Sequence, residues 1–357
     1  MRKSKLFQRD GPSTLTLQLW EFTGTALLNL FVFIFLLAYL APLSYMIVTS
    51  VETSAQLQDE GSPVWPADPV TFRYRGISYP VYDVPTATGT RPLALIEPHI
   101  KYSKYIDPAH PEAGPIQVPG YYLGMQRAYT PRISFDNFVQ LWKGIRYPHI
   151  IINTLFVVIV GGIGVLGSSI IVAYGFSRFH IPGEKYLFIL LIATIMIPDS
   201  ILILPSFVIF TRVLGWGASY LPLIVPQFFG NAVYIFLLRQ NFKSIPRDLD
   251  EAAMLDGAGP FRILVSIILP QAIPAVVTVA LLHFFNTWNE MRISSLYLGT
   301  RPDLQTMAFT AQATPTFGFT PEVLQAGTLF FLVVPVIVLF ASQRFFMRDM
   351  VITGLEK

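Results

Sequence analysis

Six stretches of this 357-residue chain are apolar and long enough to cross a lipid bilayer, at about 23–48, 150–173, 186–210, 220–239, 272–296 and 323–346. A helix needs roughly 20 mostly apolar residues to span the hydrocarbon core. Inside that core every backbone N–H and C=O must find its partner within the protein, which leaves only helices or closed barrels. Runs of this length select helices. Composition agrees, with 53% hydrophobic and 13% charged residues, against roughly 25% charged in soluble domains. The expected fold class is an all-α integral membrane protein with six transmembrane helices. The third stretch contains Pro198 and Pro205 and should be kinked, because proline removes a helix hydrogen bond.

Positive charge in short loops sets the orientation. One side carries Arg2, Lys3, Lys5, Arg9, Arg178, Lys185, Arg239, Lys243, Arg247, Arg262, Arg344, Arg348 and Lys357, whereas the short loops of the other carry Arg212, Arg292 and Arg301. The positive side is cytoplasmic, so both termini are expected inside. This divides the chain into a cytoplasmic segment at 1–22, transmembrane helix 1 at 23–48, an extracytoplasmic loop or small cap at 49–149, a core of helices 2–6 at 150–346, and a cytoplasmic tail at 347–357. The basic start MRKSKLFQRD is followed by an apolar run too long for a signal-peptide core, and no small-residue cleavage site closes it. It reads as a retained first span.

The enlarged loop at 49–149 interleaves prolines with Tyr-rich and β-branched runs such as TFRYRGISYPVYDV and PLALIEPHIKYSKYI. Alternation between turn residues predicts a strand-rich outer element across about 60–130. The other reading of the same residues is a proline-rich spacer. Cysteine is absent, which excludes disulfides, thiolate chemistry and a Cys/His zinc site. No basic run points to nucleic acid.

A hydrophilic island at 240–271 separates the fourth and fifth spans and falls on the cytoplasmic side. Ser244 is placed to cap a helix entering at Ile245-Pro246, with Asp248, Asp250 and Glu251 near its positive end. Leu249, Ala252 and Ala253 share a face by helical spacing. Gly257, with Gly259, should end this helix, and Pro260 should start a second one leading into Pro270. Read alone, the island is a docking surface or an interfacial connector.

The sequence EAAMLDGAGPFRILVSIILP at 251–270 resembles the EAA loop of bacterial ABC importer permeases: Glu251-Ala252-Ala253, then Gly257, then Ile267-x-Leu269-Pro270. ISFDNFVQLW before the second span, IVAYGFSRFHIPG after it and FFNTWNEM in the fifth are similar to the carbohydrate-uptake, maltose-type group. The likeness covers roughly residues 15–50 and 130–357, and the enlarged first outer loop departs from it. The resemblance implies a coupling helix that docks an ATPase through Glu251, Ala252, Ala253, Asp256 and Gly257. It implies a homologous second permease subunit, two ATPase subunits, an extracytoplasmic solute-binding protein, surrounding lipid and a bacterial plasma-membrane location. The chain would catalyse nothing and bind no cofactor or metal, with ATP and Mg held by the ATPases. The loop TRPDLQTMAFTAQATPTFGFTPE corresponds to the family's segment facing the binding protein, and the tail DMVITGLEK to an end near the ATPase.

Polar residues within spans are costly, roughly 2.5–3.5 kcal/mol for a charge at the helix centre, and face a cavity or a partner. His283, Asn286, Thr287 and Glu290 recur at helical spacing on the fifth span, flanked by Trp288 and Asn289, and Gln227 and Asn231 do so on the fourth. The expected solute path takes Asn286, Asn289, Glu290, Trp288, His283 and Asn231; the same residues could instead join helices by hydrogen bonds. Asp199, beside Pro198, is expected near the outer rim. Gly161-Gly162-Ile163-Gly164 lacks the lysine and preceding strand of a phosphate loop and reads as a close-packing stripe. A sugar or oligosaccharide is the implied solute. A polyamine, a peptide or a glycerol-phosphate-like solute is the alternative, with an ATP-independent transporter further off.

Overall fold

The computed structural model describes residues 14–59, 61–86 and 89–353, and side chains from Phe22 to Phe345. The basic residues of the N-terminal segment and the end of the C-terminal tail, both assigned from sequence to the cytoplasm, lie outside the described residues. The chain divides into two compact units after Ser134. Helix α3 therefore belongs with the helical unit, although the sequence division placed it in the outer loop.

The first unit starts with α1 (Thr14–Ser50), whose residues from Phe22 to Tyr45 are all exposed. A short α2 (Ser54–Leu57) follows, and then eight strands: β1 (Ala67–Pro69), β2 (Thr71–Tyr74), β3 (Ile77–Thr86), β4 (Gly89–Glu97), β5 (Tyr102–Ile106), β6 (Ile116–Pro119), β7 (Gln126–Arg127) and β8 (Tyr129–Pro131). Six form an antiparallel sheet in the order β2-β3-β4-β5-β6 with β7 against β3, while β1 pairs with β8. The prolines fit because β3 changes partner halfway. Ile77–Pro80 pairs with β2 and Val81–Thr86 with β4, so Pro80 and Pro85 each keep a side with no ladder. That is where a residue without an N–H is tolerated. Val84, Leu93, Leu95 and Tyr105 fill one face, and Val81, Ala94 and Ile106 the other.

The two ends of this element meet. Ser134 N donates to Val51 O at 2.9 Å, and β1 lies against β8. Gln56, fully buried, donates through Nε2 to Pro63 O and Trp65 O at 2.9 and 2.8 Å, and its Oε1 accepts from Ala67 N at 2.8 Å. Asp59 accepts from Tyr129 Oη and Gly61 N, with Arg127 Nη1 at 3.5 Å. Burial alone would raise the Asp59 carboxyl, but these bonds and the Arg127 charge outweigh it and leave its pKa below the ordinary value. Burial, then the hydrogen bond to Asp59 and its charge, raise the Tyr129 hydroxyl. The strand-rich expectation matches a folded sheet with a tied neck.

The second unit is helical: α3 (Asp136–Gly144), α4 (Tyr147–Arg178), α5 (Glu184–Ile195), α6 (Asp199–Val208), α7 (Leu221–Ile224), α8 (Ala232–Ser244), α9 (Asp248–Leu255), α10 (Pro260–Ile263), α11 (Leu269–Gln271), α12 (Ile273–Trp288), α13 (Arg292–Leu298), α14 (Met307–Ala313) and α15 (Pro321–Thr353). Among the described residues, four helical stretches are long and apolar enough to cross a membrane, and two bent pairs raise this to as many as six. The expected kink in the third span is a full break: Glu184–Ile195 and Asp199–Val213 meet at 91°, with Pro198 in the corner. The fifth span is preceded by an 82° bend between Pro260–Gln271 and Ile273–Trp288. Just before it, Leu264–Ile268 widens to a π turn, which accommodates Pro270, a residue that cannot donate to the preceding turn.

The glycine stripe of α4 is a packing surface. A Cβ on Gly164 would lie 2.6 Å from the Phe228 ring, and one on Gly162 would lie 3.2 Å from His283. One core joins the later half of α4 to α8 and to Ile263, Leu264 and Ile268. Another joins Tyr147, Ile150 and Val158 to Phe284, Trp288 and Met307.

Candidate functional site

The hydrophilic island contains the short helix α9. Ser244 does not cap it: α8 continues through Ser244, whose Oγ donates back to Asn241 O at 2.7 Å. Helix α9 starts at Asp248 instead and has no side-chain cap. At its other end Gly257 takes φ +77°, its N–H donates to Met254 O, and Ala258 N–H donates to Ala253 O. That pair of bonds is a Schellman stop, in which a left-handed glycine lets the last carbonyls be satisfied.

Glu251, Ala252, Asp256 and Gly257 are exposed, and Ala253 turns half-buried into the core. Met254, Leu255 and Phe261 are 60%, 90% and 76% exposed, so the segment carrying Glu251 presents large apolar side chains at its surface. Asp250 points the other way. It is buried against Arg178, with Nε and Oδ2 2.6 Å apart. Sequence reasoning counted Arg178 only as an inside charge and Asp250 only as a helix-dipole residue; a carboxylate on the core side of an amphipathic helix was the available signal.

Across the same unit, a cavity of about 350 Å³ is lined by Asp199, Gln227, Asn286, Thr287, Glu290 and Arg292 among others. Asn286 Nδ2 donates to Tyr234 Oη at 3.2 Å. Glu290 reaches the cavity by a different route from the expected helical stripe. Helix α12 stops at Trp288, and Glu290 sits in the following turn, where its Oε1 accepts from Ile293 N at 2.9 Å at the start of α13. Asn289 lines a shallower recess shared with Asn286 and Glu290, its Nδ2 donating to Phe285 O. Asp199, expected near the rim, and Gln227, open between a helix contact and a solute contact, both line the cavity wall.

The other expected path residues lie outside that lining. His283 is 4% exposed, with Nε2 3.0 Å from Val158 O, a geometry that makes Nε2 the donor. Its ring rests on Gly161 and Gly162. Trp288 is buried and stacks on Phe284 with ring centroids 5.5 Å apart. Asn231 caps α8: its Oδ1 accepts from Val233 N and Tyr234 N, and its own N–H donates to Ser169 Oγ. In this structure packing and capping occupy the polar or aromatic groups of these three.

Comparison with known proteins adds a family. Residues 167–351 match the model of the binding-protein-dependent transport system inner membrane component. The osmoprotective compounds uptake permease protein GgtD of Synechocystis is 26% identical over 66% of this chain and 75% of its own length. The alpha-glucoside transport system permease protein AglG of Rhizobium meliloti is 28% identical over 62% of this chain and 60% of its own. The trehalose transport system permease protein SugB of Mycobacterium tuberculosis is 31% identical over 47% and 62%. Among solved structures, a bacterial ABC transporter that imports the acidic polysaccharide alginate shares the fold, with a TM-score of 0.61 and 18% identity over 96% of this chain and 99% of that one.

Proposed function

The chain belongs to the family of binding-protein-dependent transport system inner membrane components, and from that premise we propose that it is a permease subunit of an ATP-driven importer for a sugar or oligosaccharide. The observation that carries the reading is helix α9, with Glu251, Met254 and Leu255 exposed, inside the family-matching stretch. Exposed Met254, Leu255 and Phe261 would be a liability on a free cytoplasmic surface, and a partner that covers them removes it.

In this reading six spans cross the bacterial plasma membrane with both termini inside. A homologous second permease completes the channel, two ATPase subunits dock on the EAA loops and hold ATP and Mg, and an external binding protein delivers solute. The chain itself hydrolyses nothing. ATP-driven closure of the ATPases moves the docking helices and rocks the spans between inward-open and outward-open states. The cavity supplies the amides of Gln227 and Asn286 and the hydroxyl of Thr287 to a polyhydroxylated solute. The names of the curated relatives point the same way, toward glucosides and trehalose. Asp199 and Glu290 in the same wall favour, as a second reading, a cationic solute such as a polyamine.

The test is reconstitution of the complex with its ATPase and binding protein, followed by uptake of a panel of labelled neutral sugars, acidic sugars and polyamines. Binding-protein-dependent uptake of a neutral sugar supports the proposal. Uptake of a polyamine alone establishes the second reading, and uptake without ATPase removes both.

A further inference from the structure

The cytoplasmic end of α4 holds the docking loop before, within and after α9. Arg178 Nη2 donates to Ile245 O at 3.1 Å, Arg247 Nη2 donates to Ser177 O at 3.3 Å, and Tyr174 Oη donates to Pro260 O at 3.1 Å. At the centre, Arg178 Nε lies 2.6 Å from Asp250 Oδ2, with both side chains at least nine-tenths buried, 6% and 7% exposed. The far end of the same helix forms the cavity: Thr154 and Val157 line it, and Asn153 donates to Asp303 O and Gln305 O at 2.9 and 3.0 Å.

Helix α4 runs unbroken from Tyr147 to Arg178. From Thr154 to Arg178 it covers about 36 Å at 1.5 Å per residue. The other routes from loop to cavity are interrupted. The spans on either side in sequence are bent by 91° and 82°, and α8 starts at Ala232 after a 3-10 turn at Val225–Phe229. A bend absorbs displacement, whereas a continuous helix passes it on.

We propose that the Arg178–Asp250 pair is the joint through which movement of α9 drives α4 and so opens and closes the cavity. The proposal rests on the docking reading of α9. A buried ion pair contributes little net stability compared with well-packed apolar side chains of the same volume, so a stabilising role is a poor account of it. In the low-dielectric interior the two charges resist separation, so α9 cannot tilt without drawing the end of α4 with it. Asp250 Oδ1 and Arg178 Nε are both buried with no hydrogen-bond partner among the described residues, so the pair is held by charge rather than by an aligned hydrogen bond. The guanidinium can therefore pass from Oδ2 to Oδ1 as α9 turns, without leaving the carboxylate.

The experiment uses the complete transporter in proteoliposomes and compares wild type with the double variant Arg178→Met/Asp250→Leu, which keeps the joint filled but uncharged. Co-purification of the ATPase, ATP hydrolysis and solute transported per ATP are measured. In parallel, Val157→Cys reports ATP-dependent thiol labelling of the cavity wall in this cysteine-free chain. Couplings between sites typically amount to about 5–150-fold, so the expected result is retained ATPase, continued hydrolysis and about tenfold less solute per ATP. Labelling at position 157 should then no longer respond to ATP. Wild-type solute per ATP in the double variant overturns the proposal. Loss of the ATPase from the double variant overturns it too, because the pair then only positions α9. Misassembly of both this variant and Arg178→Lys does the same, since the pair is then structural. The docking reading is tested separately by Glu251→Lys: an ATPase that stays bound to that variant removes it, whatever the joint does.

Discussion

Asn286 and His283 sit one turn apart on α12 and should respond oppositely to the same substitution. Asn286 lines the cavity and its amide nitrogen donates to Tyr234 Oη at 3.2 Å, leaving its carbonyl oxygen for a solute. His283 is buried beneath the cavity wall, against Val158 O and the α4 glycines, with Nδ1 3.4 Å from Thr287 Oγ1. Replacing Asn286 with Leu keeps the volume and removes a solute hydrogen bond worth about 0.5–1.5 kcal/mol, which at 1.4 kcal/mol per tenfold is about a 2- to 12-fold loss in apparent solute affinity. Replacing His283 with Leu removes an inter-helix bond worth about 0.6 kcal/mol, up to about 1.7, and should appear as a lower melting temperature of the complex with affinity unchanged. Uptake against solute concentration in proteoliposomes gives the first number, and thermal denaturation in detergent gives the second. Water-soluble thiol reagents on Cys substituted at 286 and 283 give a third readout, with labelling expected only at 286. Wild-type affinity in Asn286→Leu, or absence of labelling at 286 in every nucleotide state, refutes the path assignment.

Gly257→Pro should insert normally but lose ATP-coupled uptake and ATPase co-purification, because it removes the N–H bonded to Met254 O and the left-handed turn that ends α9; normal values for both refute the docking role of this turn. Gly257→Ala, which meets no neighbouring atom, should weaken the turn by only about 1–2 kcal/mol and give a partial version of the same defect. For the outer element, the depressed Asp59 pKa means its contribution is complete above the unfolded value of about 4 and is lost as pH falls through the folded value. Protease resistance of 51–134 should therefore hold at pH 5 and fall below about pH 4, and Asp59→Asn should remove that dependence. Tyr129 acts at the other limb: its raised pKa gives a contribution present below about 10 and lost above it. Rapid cleavage throughout the Tyr/Pro runs at neutral pH would show a flexible spacer instead.

What was legible in the sequence follows from how local each signal is. The long apolar helices, the strand-rich element and the glycine stop at Gly257 depend on neighbouring residues, and each appears in the structure close to where local pattern placed it, with four helices long enough to span and two further stretches bent. Bend angles do not: Pro198 marks the third span as irregular, but 91° depends on what α5 and α6 pack against. The helical stripe on the fifth span extended periodicity past Trp288, where α12 ends, so Glu290 was assigned to a face it does not share. Asn231 and His283 were ambiguous for another reason. A polar side chain in a span looks the same whether it caps a helix, joins two helices or meets a solute, and only its partners decide. Arg178 and Asp250, 72 positions apart, carried no local signal of their pairing.

The placement of the breaks explains how so many polar groups can reside at membrane depth. Backbone that leaves the regular helix inside a bilayer is tolerated only where it lines a cavity or is buried in protein. Asp199 occupies the first position of α6, directly after the 91° corner at Pro198. Glu290 lies in the turn that follows the end of α12, and Gln227 lies in the 3-10 turn before α8. Each of these cavity-lining residues is therefore at an interruption rather than within an unbroken helix, where backbone ends and side chain can share the same water. Asn286 and Thr287 sit in the last turn of α12, where α12 too is about to end. His283, by contrast, is inside α12, and the glycines it rests on are inside α4. The two carboxylates of the cavity wall, Asp199 and Glu290, thus sit at helix interruptions, and a charge costing roughly 2.5–3.5 kcal/mol at a helix centre is kept where the helix stops.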